Sequence, residues 1–257
     1  MPEGDTIHYA AHRIRPVLEG HVPDEIATPH PRFARDRWPE RLSGRGVRSV
    51  DAHGKHLFLR FEGGLTIHSH LRMTGSWRVI DSDRAPSRAA WLVIRRDGRQ
   101  VVQVKGPVLE LMTDSRTRLD QRLAGLGPDI LAPEFDYGRF LRRLREDDPT
   151  RPIGDALLDQ RTIAGIGNLW KVEGCFLAHV DPWRPAGEVS DDEVRTILAE
   201  TRPRMQQSAL DGIQDRFKVI YGKSGRPCPR CGPEAIIRVR GQWDDNRPTF
   251  WCPRCQS

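Results

Sequence analysis

The sequence predicts an α+β multidomain protein: an N-terminal β-sandwich with flanking helices, a helical domain and a C-terminal β-hairpin zinc finger. Three observations support this fold class. Short apolar runs joined by turn dipeptides fill residues 49–104, which is typical of the antiparallel strands of a β-sandwich or barrel. Helical periodicity replaces that pattern after Gly125-Leu126-Gly127-Pro128. Four of the five cysteines fall in two pairs within the last 30 residues.

Length and composition restrict the class of protein. The 257 residues suffice for two or three domains, which we expect at 1–125, 126–222 and 223–257. No apolar run approaches the ~18 residues of a membrane span, and the N-terminus lacks a signal-peptide pattern. We therefore expect a cytoplasmic protein that contacts no membrane. Lys and Arg number 41 against 35 Asp and Glu, a net charge of +6, which favours a polyanionic partner, nucleic acid first.

The N-terminal stretch is predicted to be an amphipathic helix over residues 5–19, with Asp5 or Thr6 as its N-cap. Pro2 and Glu3 would then lie at its entrance. If Met1 is removed, Pro2 carries a free secondary amine, which is a plausible nucleophile beside a carboxylate. The alternative is that Pro2 simply follows the initiating methionine and has no chemical role.

Two hairpins are predicted within the sandwich. The runs 57–61 and 65–68 flank Glu62-Gly63-Gly64, and the runs 91–94 and 101–104 flank Asp97-Gly98. Residues 70–75 follow a strand and contain Met73. An exposed Met73 on this loop could enter a base stack once a nucleotide is extruded, whereas a buried Met73 would be an ordinary core residue.

The cysteine pairs predict one structural zinc ion. Cys228-x-x-Cys231 and Cys252-x-x-Cys255 are separated by 20 residues, a spacing that suits tetrahedral coordination by four thiolates. Disulfides are the alternative, but a reducing compartment disfavours them. The runs 236–240 and 249–251 predict a β-hairpin between the pairs. Arg247 lies near its loop, where it could meet a phosphate or remain a solvated surface residue.

The helical domain contains a second candidate for phosphate binding. Residues 153–160 and 169–178 read as helices on either side of a glycine-containing turn, with Asn168 as the expected cap of the second helix. Free N–H groups and the helix dipole at such a helix start attract phosphate, although many helical hairpins bind nothing.

Taken together, these segments resemble the formamidopyrimidine-DNA glycosylase and endonuclease VIII (Fpg/Nei) family of DNA repair enzymes. The resemblance rests on motifs in the same order along nearly the whole chain. These are Met1-Pro2-Glu3-Gly4, His53-Gly54-Lys55-His56-Leu57, Ala164-Gly165-Ile166-Gly167-Asn168, Tyr221-Gly222-Lys223, and Arg247-Pro248-Thr249-Phe250-Trp251-Cys252. The helical segment is similar to the family's helix-two-turns-helix.

The resemblance implies a bifunctional DNA glycosylase and AP lyase acting on damaged DNA. Pro2 would be the nucleophile and Glu3 the proton-transfer carboxylate. An α-amine has a pKa of about 8, so an appreciable fraction is neutral near pH 7. Lys55, Asn168 and Arg247 would hold backbone phosphates around the flipped nucleotide, with Lys55 and Arg247 also counted in the catalytic site. The same resemblance implies a monomer that needs no small-molecule cofactor and associates with the nucleoid.

Within the family, the Nei branch fits better. Gly4 follows Glu3, and the stretch 104–107 lacks the Arg-Arg-Phe loop of the Fpg branch. Arg72 and Met73 would occupy the intercalating loop. Oxidised pyrimidines are then the expected substrates, removed with β,δ-elimination. One departure is Thr6, where the family usually has a second Glu, which puts efficiency and substrate preference in question.

Two other functions remain open from the sequence. An Fpg-type enzyme would remove oxidised purines such as 8-oxoguanine. A non-catalytic zinc protein that binds damaged DNA would need the basic surface and the finger but not a free Pro2.

Overall fold

The computed structural model of the protein describes residues 2–33, 35–81, 83, 85–242 and 246–256. Its contacts divide the chain into two compact units, residues 1–124 and 125–257, called unit 1 and unit 2 below. The separate domain boundary at residues 222 and 223 stays a prediction.

Unit 1 contains eight described strands and four described α-helices. The strands are β1 (Glu25–Ala27), β2 (Val47–His53), β3 (His56–Phe61), β4 (Leu65–His70), β5 (Ser76–Asp81), β6 (Ala90–Arg96), β7 (Arg99–Val104) and β8 (Val108–Thr113). The helices are α1 (Gly4–Leu18), α2 (Trp38–Leu42), α3 (Asp114–Leu119) and α4 (Gln121–Ala124). The strands form two antiparallel sheets with the orders β1-β6-β7-β5 and β2-β3-β4-β8. The predicted β-sandwich is confirmed.

One hydrophobic core lies between the two sheets and includes residues of α1. Side chains of a strand alternate between two faces, so only one face of each sheet contributes to this core. On β3, Leu57, Leu59 and Phe61 belong to this core. His56 and Phe58 face the other way and stack on side chains of β4. The outer face of the second sheet, β2-β3-β4-β8, lies outside this core and can therefore hold polar side chains.

Both predicted hairpins are confirmed by their registers. Phe61 pairs with Leu65 around the glycine turn, and Arg96 pairs with Arg99 around Asp97-Gly98. Asp97 and Gly98 both have positive φ, 47° and 69°, as a two-residue turn that matches the twist of the strands requires.

The start of α1 differs from the prediction. Its N-cap is Glu3, rather than Asp5 or Thr6, and the helix begins at Gly4. The Glu3 backbone N–H donates to the Thr6 hydroxyl oxygen at 3.4 Å. Thr6 thus occupies the third position of a capping box, so the two residues lock the entrance of the helix.

Unit 2 contains the helices α5 (Tyr137–Glu146), α6 (Ile153–Ala156), α7 (Asn168–Leu177) and α8 (Asp191–Asp211). The predicted helix 153–160 is wrong beyond Ala156. The Asp159 carboxylate accepts a hydrogen bond from the Arg161 backbone N–H at 2.9 Å, which competes with helix propagation. Helix α8 ends at Asp211, and the next residue, Gly212, is its C-cap with a φ of 74°.

The cysteine segment packs on α7 within unit 2. Its strands are β9 (Pro227–Cys228), β10 (Gly232–Ile236), β11 (Arg238–Gln242) and β12 (Arg247–Trp251). The predicted hairpin is confirmed as β11 pairing with β12, and residues 243–245 at its tip lie outside the described part. A small core of Val172, Phe176, Ile220 and the finger residues holds the segment against the helix.

Candidate active site and nucleic-acid interface

Pro2 and Glu3 directly precede α1, and Glu3 is its N-cap. Pro2 is partly exposed, whereas Glu3 is only 1% exposed. Asp5 is equally buried. A secondary amine beside a buried carboxylate is a suitable arrangement for nucleophilic attack coupled to proton transfer. Met1, whose removal the catalytic prediction requires, lies outside the described residues.

Lys55 occupies a two-residue turn between β2 and β3, because His53 pairs with His56. Gly54 precedes it with a φ of 55°, and a glycine at the first central position is typical of a type II′ turn. The tight hairpin carries Lys55 at its tip, partly exposed. A tight turn restricts the backbone position of Lys55, as a cation that contacts a phosphate requires.

Two histidines and a carboxylate lie in a row on the outer face of the second sheet, next to the turn that carries Lys55. They are His56, His68 and Glu110, called the histidine row below. The His56 Nδ1 atom is 2.9 Å from His68 Nε2, and His68 Nδ1 is 3.3 Å from a carboxylate oxygen of Glu110. Arg122 donates to that same oxygen at 3.0 Å. His68 and Glu110 are directly opposite each other on β4 and β8. No local sequence pattern predicts these hydrogen bonds, because they form only when β3, β4 and β8 come together in the sheet.

His56, His68 and the neighbouring His70 remain uncharged at neutral pH. Burial, together with the nearby His70 and His68, lowers the pKa of His56 to about 2. Burial also lowers the pKa of His68, although Glu110 opposes that shift. For His70, burial and the adjacent Arg72 and Lys55 cations lower the pKa to about 4.

The loop after β4 presents Met73 to solvent. Met73 is 67% exposed, so the alternative of an ordinary core methionine is wrong. Arg72 adopts a left-handed conformation with φ of 51°, and its backbone N–H donates to His70 Nδ1 at 3.2 Å. Thr74 donates to the Lys105 carbonyl at 3.3 Å, which ties the loop to the next one. An anchored loop with an exposed apolar tip suits insertion into a base stack.

In unit 2, Asn168 is the first residue of α7, and Gly167 is the N-cap. The prediction that Asn168 caps the helix is therefore wrong. Asn168 is 1% exposed, and its side-chain NH₂ donates to the Pro248 carbonyl at 2.9 Å. This bond joins α7 to β12, the strand that begins with Arg247. The predicted phosphate contacts of Asn168 and Arg247 stay predictions.

Lys171, on α7, also has a role that no sequence pattern predicts. Its ammonium group is fully buried and donates to Gln242 Oε1 at 3.0 Å and to the Thr249 hydroxyl at 2.6 Å. Gln242 lies opposite Arg247 in the hairpin register. Lys171 therefore fixes both strands of the hairpin that carries Arg247. In the sequence, Lys171 is marked only by its position between apolar residues of one helix.

The four paired cysteines converge. One sulfur atom from each of Cys228, Cys231, Cys252 and Cys255 lies within 4.8 Å of all the others, and no other group of metal-ligating side chains was found among the described residues. Four thiolates at that separation fit one tetrahedral zinc ion, with no position left for a substrate. The predicted structural zinc site is confirmed.

Family comparisons agree with this geometry. The model of the formamidopyrimidine-DNA glycosylase N-terminal domain matches residues 1–109, and the model of the H2TH domain of the same enzyme matches residues 126–217. A relative named probable endonuclease 8 2, from Streptomyces coelicolor, is 42% identical across 100% of this chain and 94% of its own length. This protein belongs to the formamidopyrimidine-DNA glycosylase family.

Further relatives carry names from the same class of enzyme. The DNA-(apurinic or apyrimidinic site) lyase Nei2 of Mycolicibacterium smegmatis is 37% identical across 100% of this chain and 99% of its own length. A crystal structure of Lactococcus lactis Fpg (MutM) with damaged DNA matches with a TM-score of 0.84 over both full chains, at 22% identity, which supports the fold. The predicted family and enzyme class, a Nei-type glycosylase and AP lyase, are confirmed. Among the described residues, no helix is long and apolar enough to cross a membrane.

Proposed function

We propose that this protein is a bifunctional DNA glycosylase and AP lyase of base excision repair that removes oxidised pyrimidines. The observation that carries the proposal is Pro2 at the entrance of α1, next to the buried Glu3. Its relatives named endonuclease 8 support the choice of the Nei branch. We further propose that it acts as a monomer on DNA in the nucleoid and needs no small-molecule cofactor.

The proposed reaction begins when the Pro2 nitrogen, freed by removal of Met1, attacks C1′ of the damaged nucleotide. The glycosidic bond breaks and the base leaves with the bonding electrons. Glu3 delivers a proton to the sugar ring oxygen as the ring opens. Because Pro2 is a secondary amine, the product is a cationic iminium that withdraws electrons from C2′. Loss of the C2′ proton then expels the 3′ phosphate, and the 5′ phosphate follows.

Unit 1 supports this chemistry with a cationic surface for the DNA backbone. Lys55 and Arg72 are near enough to His70 to lower its pKa. His70 Nδ1 accepts a hydrogen bond, so a neutral His70 carries its proton on Nε2 and offers a donor. Two cations and a neutral donor suit a phosphate, and we add His70 to the proposed contacts. In unit 2, Asn168 and Arg247 are proposed to hold further phosphates.

Thr6 does not take over the role of the family's usual second glutamate. Its hydroxyl accepts from the Glu3 backbone N–H and is uncharged, so it orients the helix entrance without serving as an acid. Asp5, two residues after Glu3, carries a second carboxylate and is 1% exposed. We propose that Asp5 substitutes in part.

The decisive experiment is borohydride trapping on abasic duplex DNA, with intact mass used to verify removal of Met1. The proposal predicts covalent trapping by the wild type and reduced trapping by Glu3→Gln. It also predicts reduced trapping by Pro2→Gly, whose primary α-amine gives an imine that must be protonated before it acts as an electron sink. A processed wild-type protein that binds the DNA but is not trapped would support the non-catalytic alternative.

Substrate choice requires a separate comparison. Duplexes carrying thymine glycol or 5-hydroxycytosine should be cut in preference to a duplex carrying 8-oxoguanine. Excision of 8-oxoguanine alone would favour the Fpg-type alternative.

A further inference from the structure

The histidine row behind Lys55 has a fixed hydrogen-bond direction, and that direction has a consequence for recognition. Glu110 is ionised: burial raises its pKa, but the hydrogen bonds from His68 and Arg122 outweigh burial and lower it overall. A carboxylate only accepts, so His68 Nδ1 must carry the proton that Glu110 receives. The His68 side chain is 2% exposed and neutral, which leaves its Nε2 as an acceptor.

The same logic extends to His56. Because His68 Nε2 accepts, His56 must donate from Nδ1 across the 2.9 Å contact. A neutral His56 then has an unprotonated Nε2. That atom has no hydrogen-bond partner in the described part of the chain, and the residue is partly exposed. The sheet therefore presents the lone pair of His56 Nε2 at the surface. Its orientation is set by a series of hydrogen bonds that runs from Arg122 through Glu110 and His68.

The surroundings of this lone pair are rich in donors. The rings of His56 and His70 meet edge to face with centroids 4.7 Å apart. Lys55 and Arg72 adjoin His70. Donors suit a phosphate, but a phosphodiester has no proton to give to His56 Nε2. An acceptor at this place needs a partner that carries a proton.

Intact DNA offers no hydroxyl in its backbone, since the sugar is 2′-deoxyribose joined at both ends to phosphate. Loss of the base creates one, at C1′ of the closed sugar or C4′ of the opened one. We propose that Glu110 and His68 are positioning residues that act through His56, holding its Nε2 as an acceptor for a hydroxyl of the abasic deoxyribose next to the phosphate held by Lys55. This inference rests on the proposed function and specifies how the product of base removal is recognised.

Two unreactive abasic analogues test the proposal. Tetrahydrofuran lacks the C1′ hydroxyl, whereas a borohydride-reduced abasic site carries hydroxyls at C1′ and C4′, and neither has an aldehyde for Pro2. The ratio of their dissociation constants in otherwise identical duplexes is the readout. One neutral hydrogen bond corresponds to roughly a five-fold change in that ratio between the wild type and His56→Phe. Phenylalanine keeps the ring stack but has no acceptor.

Substitutions at His68 separate positioning from general packing. His68→Leu removes the hydrogen bonds that connect Glu110 to His56. It should shift the ratio of dissociation constants as far as His56→Phe does. His68→Gln should restore the wild-type ratio, because its amide donates to Glu110 and accepts from His56 in the same direction. Asp51→Asn is the matched control: Asp51 forms an ion pair with Arg60 at 2.9 Å on the same sheet, outside the histidine row. Thermal unfolding of each variant verifies that it is folded.

Three results would overturn the proposal: an unchanged ratio in His56→Phe, an unchanged ratio in His68→Leu, or an equal shift in Asp51→Asn. Failure of the proposed function has a different signature, since it appears as a wild type that is not trapped on natural abasic DNA. A trapped wild type with an unchanged ratio in His56→Phe would reject this inference alone.

Discussion

Met73 provides a direct test of how this protein opens damaged DNA. The proposed substitution is Met73→Ala, at the tip of the loop that follows β4. Truncation removes the apolar side chain that we expect to enter the base stack but leaves the loop anchors at Arg72 and Thr74 in place. We expect weaker binding to a lesion duplex with the stability of the fold unchanged.

The magnitude follows from the exposure of the side chain. Met73 is 67% exposed, so about two-thirds of its surface is available for burial against bases. Burying a whole methionine side chain contributes about 1.5–3 kcal/mol, so the exposed part corresponds to about 1–2 kcal/mol. The dissociation constant for a duplex with an abasic analogue should therefore rise about 5- to 30-fold in Met73→Ala.

Met112→Ala is the matched control, because Met112 lies in the same unit and is 1% exposed. It should lose about 2–5 kcal/mol of stability in urea denaturation, as truncations of buried methionine do. Met73→Ala should lose less than about 0.5 kcal/mol. Unchanged lesion affinity in Met73→Ala, or a stability loss as large as that of Met112→Ala, would refute the reasoning.

Three further predictions concern stability and metal content. Lowering the pH from 7.5 to 5.0 should reduce the free energy of unfolding by about 2 kcal/mol through His56, whose folded pKa of about 2 lies below the unfolded value near 6.5, so the unfolded chain takes up the proton first. Urea denaturation at both pH values should show a smaller loss in His56→Phe, and equal losses would contradict the prediction. Glu173→Ala should cost about 2–5 kcal/mol in the same assay, because it leaves the buried backbone N–H of Ile220 and the half-buried backbone N–H of Tyr221 without their acceptor. Wild-type stability in Glu173→Ala would argue against this role. Atomic absorption should find one zinc per chain, lost in Cys231→Ser and kept in Cys175→Ala, and zinc retained in Cys231→Ser would exclude a four-thiolate site.

Local patterns were sufficient to predict most of the architecture. Strand alternation and turn glycines identified both hairpins of the sandwich, since those signals involve residues a few positions apart. Cysteine spacing identified the zinc site for the same reason. The N-terminal Pro2-Glu3 pair and the family resemblance identified the enzyme class. The capping residue of α1 was misplaced, because Asp5 and Thr6 are preferred N-cap residues and Glu3 is not.

Contacts between distant residues were beyond those patterns. His56, His68 and Glu110 lie on three strands, and their common hydrogen-bond direction exists only in the assembled sheet. Lys171 meets Gln242 and Thr249 across more than 70 residues. The exposure of Met73 likewise depends on the contact between its loop and the loop that contains Lys105. Residue patterns and cysteine spacing therefore predicted the fold class and the metal, and the resemblance of the motifs to a known family predicted the enzyme class. Tertiary packing decided which polar groups are buried and which donor or acceptor each histidine presents.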